Sequence, residues 1–281
     1  MAGIVSFFEK FSPFLRNDLW VTGESYGGIY VPWLAKRILE YNKAATKKMN
    51  LKGIMVGNGA AKWEYDTSMA FINMSYYHAM YPPAMRDTFT TNNCKLYDHW
   101  LPNPEQSADC DTFWYKFGNL TQRVNIYDIY RRCYIPPEGV DQEYTVMVDG
   151  QPKTYRGHMT QYDYTPWLFF GPNLQANREK RKQMLKDSNT TTCSYDAGMA
   201  HFMNNPEVRT KMHIPTDAPA WNACNDTIYA NYGNAANGSH WIYPELKEAG
   251  LKILFFSGDT DGAVATLGSL KWIKELGWKT I

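Results

Sequence analysis

Near the start of the chain, Gly23-Glu24-Ser25-Tyr26-Gly27 fits the Gly-x-Ser-x-Gly pattern of a nucleophilic serine on a sharp strand-to-helix turn. The chemistry would be acyl transfer. A serine hydroxyl attacks poorly unless a base takes its proton and an acid orients that base. Glycine suits both flanks, because side chains at Gly23 and Gly27 are expected to crowd the turn. The following helix would aim its positive end at the site, with the Tyr26 backbone N–H as an oxyanion donor. The alternative is a glycine-rich turn that only caps a helix.

Such enzymes order their triad as serine, acid, histidine. Two candidate acids, Asp259 and Asp261, follow the apolar run Lys252 to Phe256. Either is equally a turn or helix-cap aspartate. The six histidines are His78, His99, His158, His201, His213 and His240, and all precede Asp259. The base is therefore the piece the sequence does not supply in order.

These residues need elements to hold them. Ile4, Phe7, Phe8 and Phe11 fall on one helical face within Met1 to Phe11. Leu19 to Thr22 reads as a strand. Val31, Leu34, Ala35 and Ile38 mark a helix running to about Met49, and Leu51 to Val56 a second strand. Strand, helix, strand is the unit of a parallel sheet. Pro244 to Gly250 reads as a short helix with a glycine cap, Lys252 to Phe256 as a buried strand, and Leu267 to Leu276 as a helix. A further strand is expected to begin at Trp278. The expected division is residues 1–75 and 241–281 as a hydrolase core, with 76–240 as an inserted, largely helical cap. Pro137 to Thr160 reads as a mobile polar loop. The basic run Arg178 to Lys186 is either a solvated helix face or a proteolytic processing site.

The 281 residues carry 29 Lys+Arg against 28 Asp+Glu, a formal net charge of +1. That balance argues against a nucleic-acid-binding surface. No apolar run approaches the ~20 residues of a membrane span. The cysteines are Cys94, Cys110, Cys133, Cys193 and Cys224, with no Cys-x-x-Cys pair, which argues against a zinc or thioredoxin-type site. The expected chemistry calls on no metal and no cofactor. Asn73, Asn119, Asn189, Asn225 and Asn237 each open an Asn-x-Ser/Thr sequon. Together with scattered cysteines, they favour an oxidising secretory route, lysosomal, vacuolar or extracellular, and a glycoprotein. The odd cysteine and the opening inside a helix suggest that chain is missing at the start.

The segment Val21-Thr22-Gly23-Glu24-Ser25-Tyr26-Gly27-Gly28-Ile29-Tyr30-Val31-Pro32 resembles the nucleophile signature of the serine carboxypeptidases. Leu51-Lys52-Gly53-Ile54 through Gly57-Asn58-Gly59 is similar to their next strand, and Phe256 to Val264 to their acid-bearing turn. Tyr76-Tyr77-His78 and Asn125 to Tyr130 also resemble the family, and the likeness is weakest from Gly139 to Asn189. The resemblance implies an α/β-hydrolase fold, mostly parallel sheet with flanking helices and the inserted cap. It implies Ser25 as nucleophile, Asp261 as triad acid and the Tyr26 N–H in the oxyanion hole. It implies that Glu24 helps bind the peptide's terminal carboxylate at acid pH, since like-charged carboxyls raise one another's pKa. It pairs Cys94 with Cys110, Cys133 with Cys193, and Cys224 with a cysteine outside the chain.

The family's histidine, its second oxyanion donor and its second carboxyl fall outside these residues on that reading. Both ends of the fold are then expected to be missing, supplied by the remainder of a precursor or a second chain, and the chain alone is expected to be nearly inactive. Two other functions compete. One is a non-catalytic structural or binding protein derived from the family, and the other an acyltransferase on the same scaffold.

Overall fold

The fold rests on a three-stranded parallel sheet in the computed structural model. The structure describes residues 1–66, 68–94, 96–97, 101–102, 107–121, 124–131, 142–148, 151–157, 197–221 and 238–279. Strands β1 (Leu19–Glu24), β2 (Leu51–Gly57) and β7 (Lys252–Phe256) lie in the order β1-β2-β7. Their register sets Glu24 beside Gly57 and Gly57 beside Phe256, so all three strands end at one level.

Helix α1 (Ala2–Lys10) leads into a 3-10 turn at Ser12–Arg16. The rings of Phe7, Phe11 and Phe14 group together but stay exposed, so the apolar face seen in the sequence is not covered. Helix α2 (Gly27–Ala44) follows β1 and packs Val31 and Ala35 into one core cluster with Ile54 and Val56 of the sheet, and Ile38 is buried as well. It stops short of Met49. Asn42 closes the end, donating to Met49 O at 2.7 Å and accepting from Met49 N at 2.9 Å. That pair turns the chain back toward β2 before the periodicity runs out.

Beyond β2 come α3 (Ser68–Tyr77), α4 (Pro83–Thr91), the two-residue strands β3 (Leu96–Tyr97) and β4 (Leu101–Pro102), α5 (Ala108–Thr121), β5 (Gln142–Val148), β6 (Gln151–Gly157), α6 (Ala197–Asn204) and α7 (Pro206–Lys211). Helices α8 (Ile242–Glu248) and α9 (Thr266–Glu275) flank β7. Gly250 at φ +77° ends α8 as the glycine signal suggested. Trp278 and Lys279 form no strand. The core holds Ile54, Val56, Ile242, Tyr243, Leu246 and Trp272 around α2.

The chain divides into two compact units. The first holds residues 1–107, 126–129 and 234–281, and with them the sheet. The second holds 108–125 and 130–233. In it, α5 buries Phe113, Trp114 and Phe117, and Asn204 exchanges two hydrogen bonds with the Trp221 backbone. The stretch expected as a mobile loop contains an antiparallel hairpin, β5 on β6, with Val148 opposite Gln151. Tyr144, Val146 and Val148 recur at every second position of β5. The polar composition hid that period.

The glycines of the turn behave differently from expectation. A Cβ on Gly23 would meet Val31 Cγ2 at 2.8 Å, as anticipated, but one on Gly27 would meet nothing within 4 Å. The tight position is Gly28, where a Cβ would lie 2.3 Å from Ala60 O and 2.7 Å from Ala60 N. Both neighbours are backbone and cannot swing away. Gly28→Ala is expected to lower unfolding free energy by about 3 kcal/mol in urea titration. Gly27→Ala should stay within about 0.5 kcal/mol. Equal effects of the two would show that crowding at Gly28 is not what the turn requires.

Candidate active site

Ser25 follows β1 directly and sits at φ +58°, the left-handed region that side chains resist. Three backbone hydrogen bonds hold it there. Its N–H donates to Gly57 O at 3.1 Å, and its carbonyl accepts from Gly28 N and Ala60 N at 3.0 Å each. Strain of this kind costs on the order of 1 kcal/mol and persists only where surroundings enforce it. Tyr26 stands at the start of α2, its ring 4.9 Å from Tyr30 and 5.6 Å from Trp63. Glu24 is exposed at the end of β1.

At the same level, β7 runs into the turn that carries both aspartates. Asp259 is exposed. Asp261 is partly buried, and its carboxylate accepts from Ala263 N at 3.0 Å, Val264 N at 3.2 Å and Asn58 Nδ2 at 3.1 Å. Burial pushes its carboxyl above the usual range, against the pull of these three donors, and the charge of Glu24 adds to the rise. Ligand sites of open parallel sheets form outside the carboxyl ends of the strands, which is where Ser25 and Asp261 stand.

Asn58, which the sequence offered only as part of the segment resembling the family's next strand, holds the acid turn against the end of β2. It follows β2 at φ +39° and donates its N–H to Phe256 O at 2.9 Å. Its Oδ1 accepts from Gly258 N at 3.0 Å, while Nδ2 faces Gly258 O, Ser257 Oγ and Asp261. One side chain thus ties the end of β2 to the acid turn. The available signal was its place between two glycines after a strand, since asparagine tolerates positive φ better than most residues. Gly262 closes the other side, its N–H donating to Ile126 O at 2.6 Å and its Cα packed near Phe71.

Of the remaining expected positions, Cys94 and Cys110 are each disulfide-bonded. Cys133, Cys193, Cys224, Asn189, Asn225, Asn237 and the basic run 178–186 lie outside the described residues. Asn119 is exposed on α5. Asn73 is engaged within α3, donating to Met69 O at 2.9 Å and accepting from Arg86 at 2.6 Å. Among the described residues, no helix is long and apolar enough to cross a membrane. Nor is any group of three or more His, Cys, Asp or Glu side chains placed to hold a metal ion.

A serine on a left-handed turn between parallel strand and helix, level with an aspartate after a later strand, has the α/β-hydrolase arrangement. Comparison with known proteins agrees. The family model described as serine carboxypeptidase matches residues 1–281. A serine carboxypeptidase of Caenorhabditis elegans is 28% identical over 286 residues, covering 97% of this chain and 53% of that protein. The lysosomal protective protein of Mus musculus is 26% identical over 285 residues, covering 97% and 54%. Among solved structures, a prohormone-processing carboxypeptidase of Saccharomyces cerevisiae matches with a TM-score of 0.53 at 17% identity, covering 99% of this chain and 52% of that one. The chain belongs to the serine carboxypeptidase family and has its α/β-hydrolase fold. It spans about half the length of the relatives it matches.

Proposed function

We propose that the protein containing this chain is a serine-type carboxypeptidase that releases C-terminal residues from peptides at acid pH. Ser25 is the nucleophile and Asp261 the acid that orients the base. The base is a histidine supplied from outside these residues, and without it the isolated chain turns over little substrate. The Tyr26 N–H donates to the developing oxyanion, and Glu24 helps hold the peptide's terminal carboxylate. The observation that carries this reading is Ser25 at φ +58°, held level with the partly buried Asp261. The sequons, the disulfide-bonded cysteines and the mouse relative's name support a secretory or lysosomal route for a glycosylated protein.

The test is fluorophosphonate labelling of the native protein near pH 5, followed by peptide mapping. Phosphonylation of Ser25 is expected. No label on any native form would overturn the reading and favour a non-catalytic binding protein. Label together with acyl transfer to an alcohol, and no release of C-terminal residues, would favour the acyltransferase.

A further inference from the structure

Asp66 is a buried carboxylate that the proposed chemistry does not use, with 0% of its surface exposed. Its Oδ2 accepts from Ala61 N and Lys62 N, each at 2.6 Å. Its Oδ1 has no hydrogen-bond partner. The Trp272 indole N–H favours the ionised form without reaching hydrogen-bond geometry. An unpaired oxygen inside a core is a cost to folding, so such a group calls for a reason.

The segment Asp66 holds leads back to the turn at Ser25. Ala60 N donates to Ser25 O at 3.0 Å. Ala61 O accepts from Ser239 N at 2.8 Å and His240 N at 3.1 Å. Gly238, at φ +62°, permits that approach, since a Cβ there would lie 2.2 Å from Ala61 O. Ser239 Oγ then donates to Gly28 O at 2.6 Å. In a regular helix that carbonyl would take the N–H four residues on, but that residue is Pro32, which has none. Ser239 fills the place that Pro32 leaves open, and Gly28 N donates to Ser25 O.

We propose that Asp66 is a positioning residue for Ser25: from inside the core it fixes the Gly59–Lys62 segment, which holds Ser25 directly through Ala60 and holds Gly28 through Ser239. The proposal rests on Ser25 being the nucleophile for its catalytic meaning, though not for its structural content. The groups around Asp66 agree with an internal anchor. Lys62 bears on it electrostatically from its own segment. From α8 the Tyr243 phenol, itself without a hydrogen-bond partner, is pushed up by burial and by Asp66. On α9, Glu275 takes Lys62 Nζ and the Tyr65 hydroxyl, and Lys271 lies over the Tyr65 ring at 3.9 Å. Burial pushes the Asp66 carboxyl up to about 7, so Asp66→Asn resembles its neutral form and keeps an oxygen for the two amides.

Hydrogen exchange by mass spectrometry on the full chain tests this. In Asp66→Ala, exchange should rise at least about tenfold in peptides covering 57–63 and 24–30, while 108–121 stays within about twofold. Asp66→Asn should return both peptides to within about threefold of the original. If Asp66→Ala does not fold, Ser239→Ala is the second variant, and it should raise exchange at 24–30 while sparing 108–121. Equal acceleration everywhere, loosening of 57–63 without 24–30, or no rescue by asparagine would each overturn the proposal. Where native protein is phosphonylated, the Ser25 rate should fall in Asp66→Ala and recover in Asp66→Asn. An intact exchange pattern with no labelling of the native protein would instead overturn the nucleophile reading alone.

Discussion

Ser25→Ala is expected to abolish phosphonylation and to lower peptide turnover on the order of 10⁶-fold in the form of the protein that carries the activity. The size follows from the role. Without the hydroxyl no acyl-enzyme forms, and only binding and oxyanion stabilisation remain. The fold should be indifferent, because the bonds that hold position 25 are backbone bonds to Gly57, Gly28 and Ala60. Alanine keeps them and tolerates the same φ at similar cost, so the urea midpoint should move little. Asp261→Asn is the companion variant, expected to cost about 10⁴-fold by orienting the base in the wrong tautomer. It also exchanges one acceptor oxygen for a donor beside the amides of Ala263 and Val264, so its stability should be measured in parallel. Retained labelling in Ser25→Ala would move the nucleophile to another residue. Lost labelling with a collapsed fold would show only that the turn is structural.

Local pattern made the β1–α2–β2 unit legible, since a Gly-x-Ser-x-Gly turn between a strand and a 3.6-period helix has few other solutions. The strand at Lys252–Phe256 was equally plain, its apolar run bounded by glycine turns, but its expected burial was not met: Leu254 and Phe256 are exposed on one face and Ile253 and Phe255 half-buried on the other. What stayed hidden depends on contacts distant in sequence. Helix α2 ends where Asn42 clasps Met49, and hydrophobic periodicity carries no trace of that clasp. Gly28 and Gly27 look alike in sequence, yet only the first faces the Ala60 backbone. Asn58 and Asp261 are brought together by the register of β2 on β7, and Ser239 reaches Gly28 only because 238–240 pairs with Ala61. The hairpin strands at 142–148 and 151–157 escaped for a different reason: the short apolar alternation at Tyr144, Val146 and Val148 lies within a stretch that is polar in overall composition.

Stability should fall as pH rises from about 4 to about 7, by on the order of 4 kcal/mol from Asp66 alone. Burial raises its carboxyl from 3.8 to about 7 in the folded chain, with the Ala61 and Lys62 amides only partly opposing. Between those values the folded chain keeps a proton that the unfolded chain releases. Unfolding then discharges a proton, so higher pH favours unfolding throughout the window. Below about 4 both states are protonated, above about 7 both are ionised, and Asp66 adds no slope in either range. Asp261 is also raised and contributes in the same direction, so Asp66→Asn should flatten most of the fall and leave a residue of it. Glu275 works the other way. Its hydrogen bonds with Lys62 and Tyr65 lower its carboxyl, so its contribution is lost as pH drops below the Asp66 window. Urea titrations at four pH values between 4.5 and 7.5 (about one unit apart), on the parent and on Asp66→Asn, separate these groups. A parent whose stability rises with pH, or an asparagine variant with the parent's slope, would show that Asp66 is ionised without penalty. The predicted slope instead makes the core that supports Ser25 firmest in acid, which is the condition the proposed lysosomal or secretory chemistry requires.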